Sequence, residues 1–150
     1  MKLSDWASVA EIVSGVAVVT TLVFLVLGIR ENTEVTRSAA YEDLIEDLNR
    51  FGLAIAQDEA LTELWRIYRE GGTEELSEEE NFRLTMLLRT MWRTYETAYY
   101  SHEYDTLGSS EWQRFQRQMC IQRAISSESQ WDSIRSFLTE EFSEHIIVSC

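Results

Sequence analysis

Proline is absent from these 150 residues, and glycine occurs only six times. Little therefore interrupts a helix except Gly71-Gly72, Gly108 and clusters of serine. No alternation of apolar and polar residues lasts long enough to make a strand, so the chain reads as all-α. Histidine occurs twice, at His102 and His145, and neither has a glutamate three residues before it. That excludes the paired Glu-x-x-His ligands of a di-iron bundle. Glu141 and His145 share a helix face but read as an exposed pair, so no metal is expected. The two cysteines are too few for a disulfide framework. Cys120, between Met119 and Ile121, reads as a small buried thiol. Cys150, the last residue, does not fit a prenylation motif. There is no phosphate loop, dinucleotide fingerprint, Cys-x-x-Cys or Gly-x-Ser-x-Gly. Ser109 and Ser110 read as helix caps rather than nucleophiles. Neither a cofactor nor an enzymatic activity is expected.

Lysine is nearly missing too, with Lys2 alone. Beyond Ile29 stand twelve arginines against twenty-four acids, a net charge of about −12 with neutral histidines. Such a domain repels phosphate backbones and anionic lipid heads, so nucleic acid is not an expected partner. The acids at Glu74-Glu75 and Glu78 to Glu80 read as a solvated loop and helix start, where negative charge meets the positive end of the helix.

What the chain does have is one uncharged run, IVSGVAVVTTLVFLVLGI at residues 12–29. A bilayer core of about 30 Å takes roughly 20 apolar residues in a helix. Eighteen residues flanked by Glu11 and Arg30 are just enough. A cleaved leader should have a basic start and small residues at its end. Here Lys2 is offset by Asp5 and Glu11, and the run closes on Leu27-Gly28-Ile29-Arg30. A buried helix of a soluble domain would carry a polar face, and this run has none. The reading is a transmembrane anchor over 1–29, tail included, and an acidic helical domain over 30–150. Basic residues at the two ends, Lys2 against Arg30 and Arg37, then Arg50, predict the orientation of a single-pass protein. Its N-terminus would lie outside and its domain in the cytoplasm.

The anchor helix is expected to continue into the domain, from about residue 6 to 56, because only Gly52 weakens it beyond Arg30. Tyr41, Leu44, Leu48, Phe51 and Ile55 recur at three- and four-residue steps and form an apolar face. A second helix is expected near 59–70, with Leu61, Leu64, Trp65 and Tyr68 inward. A third starts from the Ser77-to-Glu80 capping box and runs to about 104, with Leu84, Leu88, Met91, Tyr95 and Ala98 inward. A fourth runs from near 110 to 125 with Trp112, Phe115 and Met119. A fifth covers about 130–144 with Trp131, Ile134, Leu138 and Phe142. The expected fold is thus an N-terminal transmembrane helix continuing into a soluble bundle of about five helices.

These segments resemble a family. EIV at 11–13, LGIRENT at 27–33, LWRIYREG at 64–71, FRLTMLLRTMWRTYETAYY at 82–100, Trp112, the helix around Trp131 and Phe142 are similar to those of a group of small bacterial proteins common in marine genomes. The resemblance implies a single-pass protein of a bacterial inner membrane with a C-terminal helical domain, and it adds no activity. The chain departs from the group at 126–131, where the group often has glycine and paired tryptophans.

Two constellations invite a functional reading. Small residues Ala7, Ala10, Ser14, Ala17 and Thr21 follow steps of three and four along the anchor, and Phe24 and Gly28 extend the row. Small residues let helices approach closely in lipid, so Ala10, Ser14, Ala17 and Thr21 are expected to face a second copy or another membrane subunit. On the third helix, Arg89, Trp92, Arg93, Glu96 and Tyr99 lie within three turns, followed by Tyr100. They form either a cleft for a small anion or an ion pair that satisfies a partly buried glutamate among core aromatics. The second is preferred. The functional expectation is a non-enzymatic, membrane-anchored interaction module, a homo-oligomer or an accessory subunit. The alternative is a membrane-anchored anion sensor.

Overall fold

The structure, a computed structural model, describes the backbone of residues 3–150 and the side chains of Glu11 and residues 13–150. Among the described residues every regular element is a helix. The first, α1, runs over Leu3–Gln57 and stays helical through Gly28, Asn32 and Gly52. The chain divides after Ser38 into two units.

In the first unit the uncharged run finds no cover. Residues 13–29 are exposed throughout, and Phe24 reaches 72%. The stretch is long and apolar enough to cross a membrane. Its threonines bond within the helix: Thr20 donates to the carbonyl of Val16 at 2.8 Å, and Thr21 to that of Ala17 at 2.9 Å. Such back-bonding satisfies both threonine donors without water.

The second unit is a helical bundle whose elements start and stop where local chemistry dictates. Asp58 accepts the Leu61 amide at 3.1 Å and opens α2, Glu59–Glu70. Gly71 closes it at φ 80°, a left-handed position where glycine carries no Cβ penalty, and its N–H reaches back to Ile67 and Tyr68. A single 3₁₀ turn, Thr73–Glu75, leads to α3, Glu78–Glu103. The capping box at its start is reciprocal: the Ser77 hydroxyl accepts from the Glu80 amide, and the Glu80 carboxylate accepts from the Ser77 amide at 2.9 Å. Hydrogen bonds donated to it by the Ser77 hydroxyl, at 2.6 Å, and then by the Ser77 amide hold the Glu80 carboxyl below the usual carboxylate range. Next come α4, Ser109–Ile125, and α5, Glu128–Arg135, the latter opened by a second capping box from Ser127 and Gln130.

The expected fifth helix is in fact two. Residues 136–139 interrupt it, and α6 covers Glu140–Ser149. The physical reason lies outside the segment. The Thr139 amide donates to the carboxylate of Glu96 on α3 at 2.7 Å, so the chain starts a new helix there rather than extending the old one. Phe137 and Leu138 pack on the core from within the break.

The core is centred on α3, which packs against α2, α4 and α5, while α6 packs against α4. The apolar stripes expected of each helix are the ones that face inward. Leu44 of α1, Tyr68 of α2, Leu84 to Ala98 at the expected steps on α3, and Met119 of α4 are all buried. Trp131 of α5 and Phe142 of α6 join them. The rings interlock: Trp92 meets Tyr95 edge-on at 5.7 Å and Trp131 at 5.3 Å.

Cys120 departs from its expected role. It is half-buried, and its sulfur is bonded to Cys150, with Cα atoms 5.0 Å apart. The packing of α6 on α4 brings together two residues 30 apart in sequence, a meeting that the count of two cysteines could not reveal.

Candidate functional site

The helix α3 has two sides, and the arginine–aromatic cluster is divided between them. Trp92 is 0% exposed and Tyr99 is buried among Trp112, Phe142 and the His145 ring. Arg89 and Arg93 lie on the exposed side. The five residues therefore do not line one cleft. Glu96 is the hinge between the two sides. Its side chain is 7% exposed, one oxygen is paired with the Arg93 guanidinium at 2.7 Å, and the other accepts the Thr139 amide. A buried carboxylate with a cation and an amide donor is satisfied, and it ties α3 to the start of α6. Tyr100 reinforces the joint, its hydroxyl 2.9 Å from that of Thr139.

The arginines do border an open groove of about 690 Å³ between α1 and α3. Phe51, Ala54, Met86 and Leu87 make its apolar wall, and Arg50, Arg89 and Arg93 stand around it. Each guanidinium already has a partner. Arg50 is paired with Glu46 and Asp47, Arg93 with Glu96, and Arg89 lies 5.2 Å above the Phe137 ring.

A second cavity, about 340 Å³, lies where the 3₁₀ turn meets α3 and α5. Thr73, Asn81, Thr85, Ser129 and Gln130 border it over a floor of Leu84 and Ile134. Across it the Gln130 amide donates to the Thr73 hydroxyl at 2.9 Å.

Both histidines belong to one aromatic stack. His102 lies parallel to Trp112 at 5.1 Å, and His145 packs on Trp112 at 5.6 Å and on Tyr99 at 4.8 Å. Burial pushes the His145 imidazole below its ordinary value, the Glu103 carboxylate opposes that shift, and His102 adds to it. Glu141 is turned toward the Tyr100 hydroxyl at 3.3 Å. No group of three or more histidine, cysteine or acidic residues is placed to hold a metal among the described residues.

Along the apolar stretch of α1, Ser14, Ala17 and Thr21 are exposed, and nothing approaches a Cβ built at Gly28. The side chains of Ala7 and Ala10 lie outside the described residues. Two participants escaped the sequence reading. Thr139, which receives the buried glutamate, was legible in part, because a threonine followed by Glu140-Glu141 has the form of a helix start. The Cys120–Cys150 pair carried no such signal.

Compared with family models, with curated proteins and with solved structures, the chain matches none. The class that fold and site define is an all-α bundle preceded by one apolar helix of membrane-spanning length.

Proposed function

We propose that this is a non-enzymatic, membrane-anchored helical interaction module that associates through its anchor, with itself or with another membrane subunit. The observation that carries this reading is the uncovered run at residues 13–29. Seventeen consecutive exposed residues without a charge, both threonines bonded inside the helix, suit lipid rather than water, and the small exposed Ser14, Ala17 and Thr21 would let a second helix approach closely. A helix that remains regular past Arg30 to Gln57 supports an anchor over a removed leader. The resemblance at 27–33 and 64–71 favours a bacterial membrane. Arg30 and Arg37, then Arg50, outweigh Lys2, a small bias toward a cytoplasmic domain that a stronger constraint can override.

The test is Ser14→Leu combined with Ala17→Leu. Bulky side chains separate helix backbones in lipid, so the double variant should insert and fold normally yet run at smaller size in mild detergent. Unchanged crosslinking and sizing would reduce the anchor to a tether. The anion-sensor reading has less to stand on, because the three arginines of the groove are engaged and Trp92 and Tyr99 are in the core. Calorimetric titration with phosphate, sulfate and acetate tests it directly, and binding that is lost in Arg89→Ala would favour it.

A further inference from the structure

We infer that the helical domain works on the oxidising side of the membrane, with the Cys120–Cys150 disulfide formed in the mature protein and the residues before the anchor on the reducing side. The membrane part of this inference rests on the anchor reading. The compartment part rests on the disulfide alone.

The pair accounts for every cysteine in the chain, and no free thiol remains. Cys150 is exposed and Cys120 half-buried, so neither sulfur is shielded from the thiols of a reducing compartment. Accessible disulfides persist in secreted, periplasmic and extracellular proteins, and cytosolic glutathione and thioredoxin systems keep such thiols reduced. The bond also has a place in the packing. The last buried apolar side chain of α6 is Ile146, at 0% exposure. Beyond it Ile147 and Val148 turn outward at 56% and 86%. The final turn of α6 therefore has no apolar hold on α4, and the disulfide supplies one at that point.

Formation balances by thiol–disulfide exchange with a protein disulfide donor of the compartment. The thiolate of one cysteine attacks the donor disulfide and forms a mixed disulfide. The thiolate of the other then displaces the donor sulfur, closing the Cys120–Cys150 bond. Two protons and two electrons leave the pair, and the donor departs as a dithiol.

The bias of Arg30 and Arg37, then Arg50, over Lys2 points the other way, but it is small. The pairing of both cysteines is a geometric fact of the folded domain that a reducing cytoplasm would oppose, and it is the stronger of the two observations.

The experiment uses the full chain in the cells that make it. Thiols are trapped with acid, then alkylated with a polyethylene-glycol maleimide, with and without prior reduction. In parallel, sealed vesicles with the cytoplasmic face inward are treated with protease. The expected result is no mobility shift before reduction, a shift of two adducts after it, a monomeric band on the non-reducing gel, and loss of the domain to external protease. Thiols that react without reduction overturn the inference. So does a disulfide-linked dimer band that Cys150→Ser abolishes, and so does a domain protected until the vesicles are opened. Release of an oxidised, protease-accessible domain by carbonate would instead overturn the anchor reading and leave the compartment standing.

Discussion

Residues 13–29 and helix α3 are both rich in large apolar side chains, and they meet opposite fates. In the first, valines and leucines stand exposed around the whole helix. In the second, Leu84, Leu88, Met91, Trp92 and Tyr95 are buried, while Arg83, Arg89 and Arg93 turn outward. The difference lies in the pattern rather than in hydrophobicity. A helix with a polar side can bury one stripe against neighbours and remain in water. A helix apolar on every side has no orientation that suits water, and it needs a different solvent. The same contrast governs polar groups: the anchor's threonines bond within their own helix, whereas Glu96 reaches across to α6.

Substitutions should separate the two regions. The largest effect is expected at Trp92, whose ring fills the centre of the core against Tyr95 and Trp131. Trp92→Ala should cost about 3–5 kcal/mol of domain stability, from lost burial and the cavity left behind. Leu22→Ala in the anchor should leave the thermal midpoint of the domain where it was. Circular dichroism of both variants in the same detergent checks the pair, and equal losses would erase the distinction.

Next is Glu96. Removing it leaves the Thr139 amide without its acceptor and the Arg93 guanidinium without its partner, so Glu96→Ala should cost roughly 2–4 kcal/mol. Glu96→Gln keeps an acceptor for the amide and should lose about half as much. If the alanine variant unfolds like the parent, the carboxylate is not the joint between α3 and α6.

A smaller effect is expected at the end of α2. Gly71→Ala places a Cβ at φ 80°, and the cost should be about 1 kcal/mol, read from urea unfolding. Gly15→Ala, in the anchor's ordinary helical backbone with open space around it, should not touch the domain.

The smallest effect concerns pH. His145 is held below its ordinary 6.5 in the folded protein, chiefly by burial. The unfolded chain therefore takes up the proton first as pH falls. The stability contributed by neutral His145 is complete above 6.5 and declines as pH drops through 6.5 toward the lower folded value. The thermal midpoint should fall between about pH 7.5 and pH 5.5 in the parent, and fall less in His145→Gln. An identical slope in both would assign the dependence to other groups.

The reading of the chain succeeded where a local rule was enough. The Ser77–Glu80 box, the glycine stop after Tyr68, and the three- and four-residue steps through Leu84, Leu88, Met91, Tyr95 and Ala98 are intrahelical signals, and each sits where it should. Both the break at 136–139 and the cysteine pair were missed for one reason. The partner that decides each outcome is far away in sequence, Glu96 in the first case and residue 120 or 150 in the second. The arginine–aromatic cluster was legible as a set of neighbours on α3. Which of them faced inward depended on α4, α5 and α6, which closed over Trp92 and Tyr99 and left Arg89 and Arg93 outside.

By itself, then, the sequence determined that every regular element among the described residues is a helix, that one helix is apolar enough for a membrane, and which stripe of each later helix is apolar. These follow from proline's absence, from one uncharged run, and from a period near 3.6, all properties of contiguous residues. Tertiary structure alone decided that Glu96 is a structural joint, that both histidines pack on Trp112, and that Cys120 is closed by Cys150. Each of those needs two helices to meet at a particular register. Register is set by the packing of whole faces, which no short window of sequence contains.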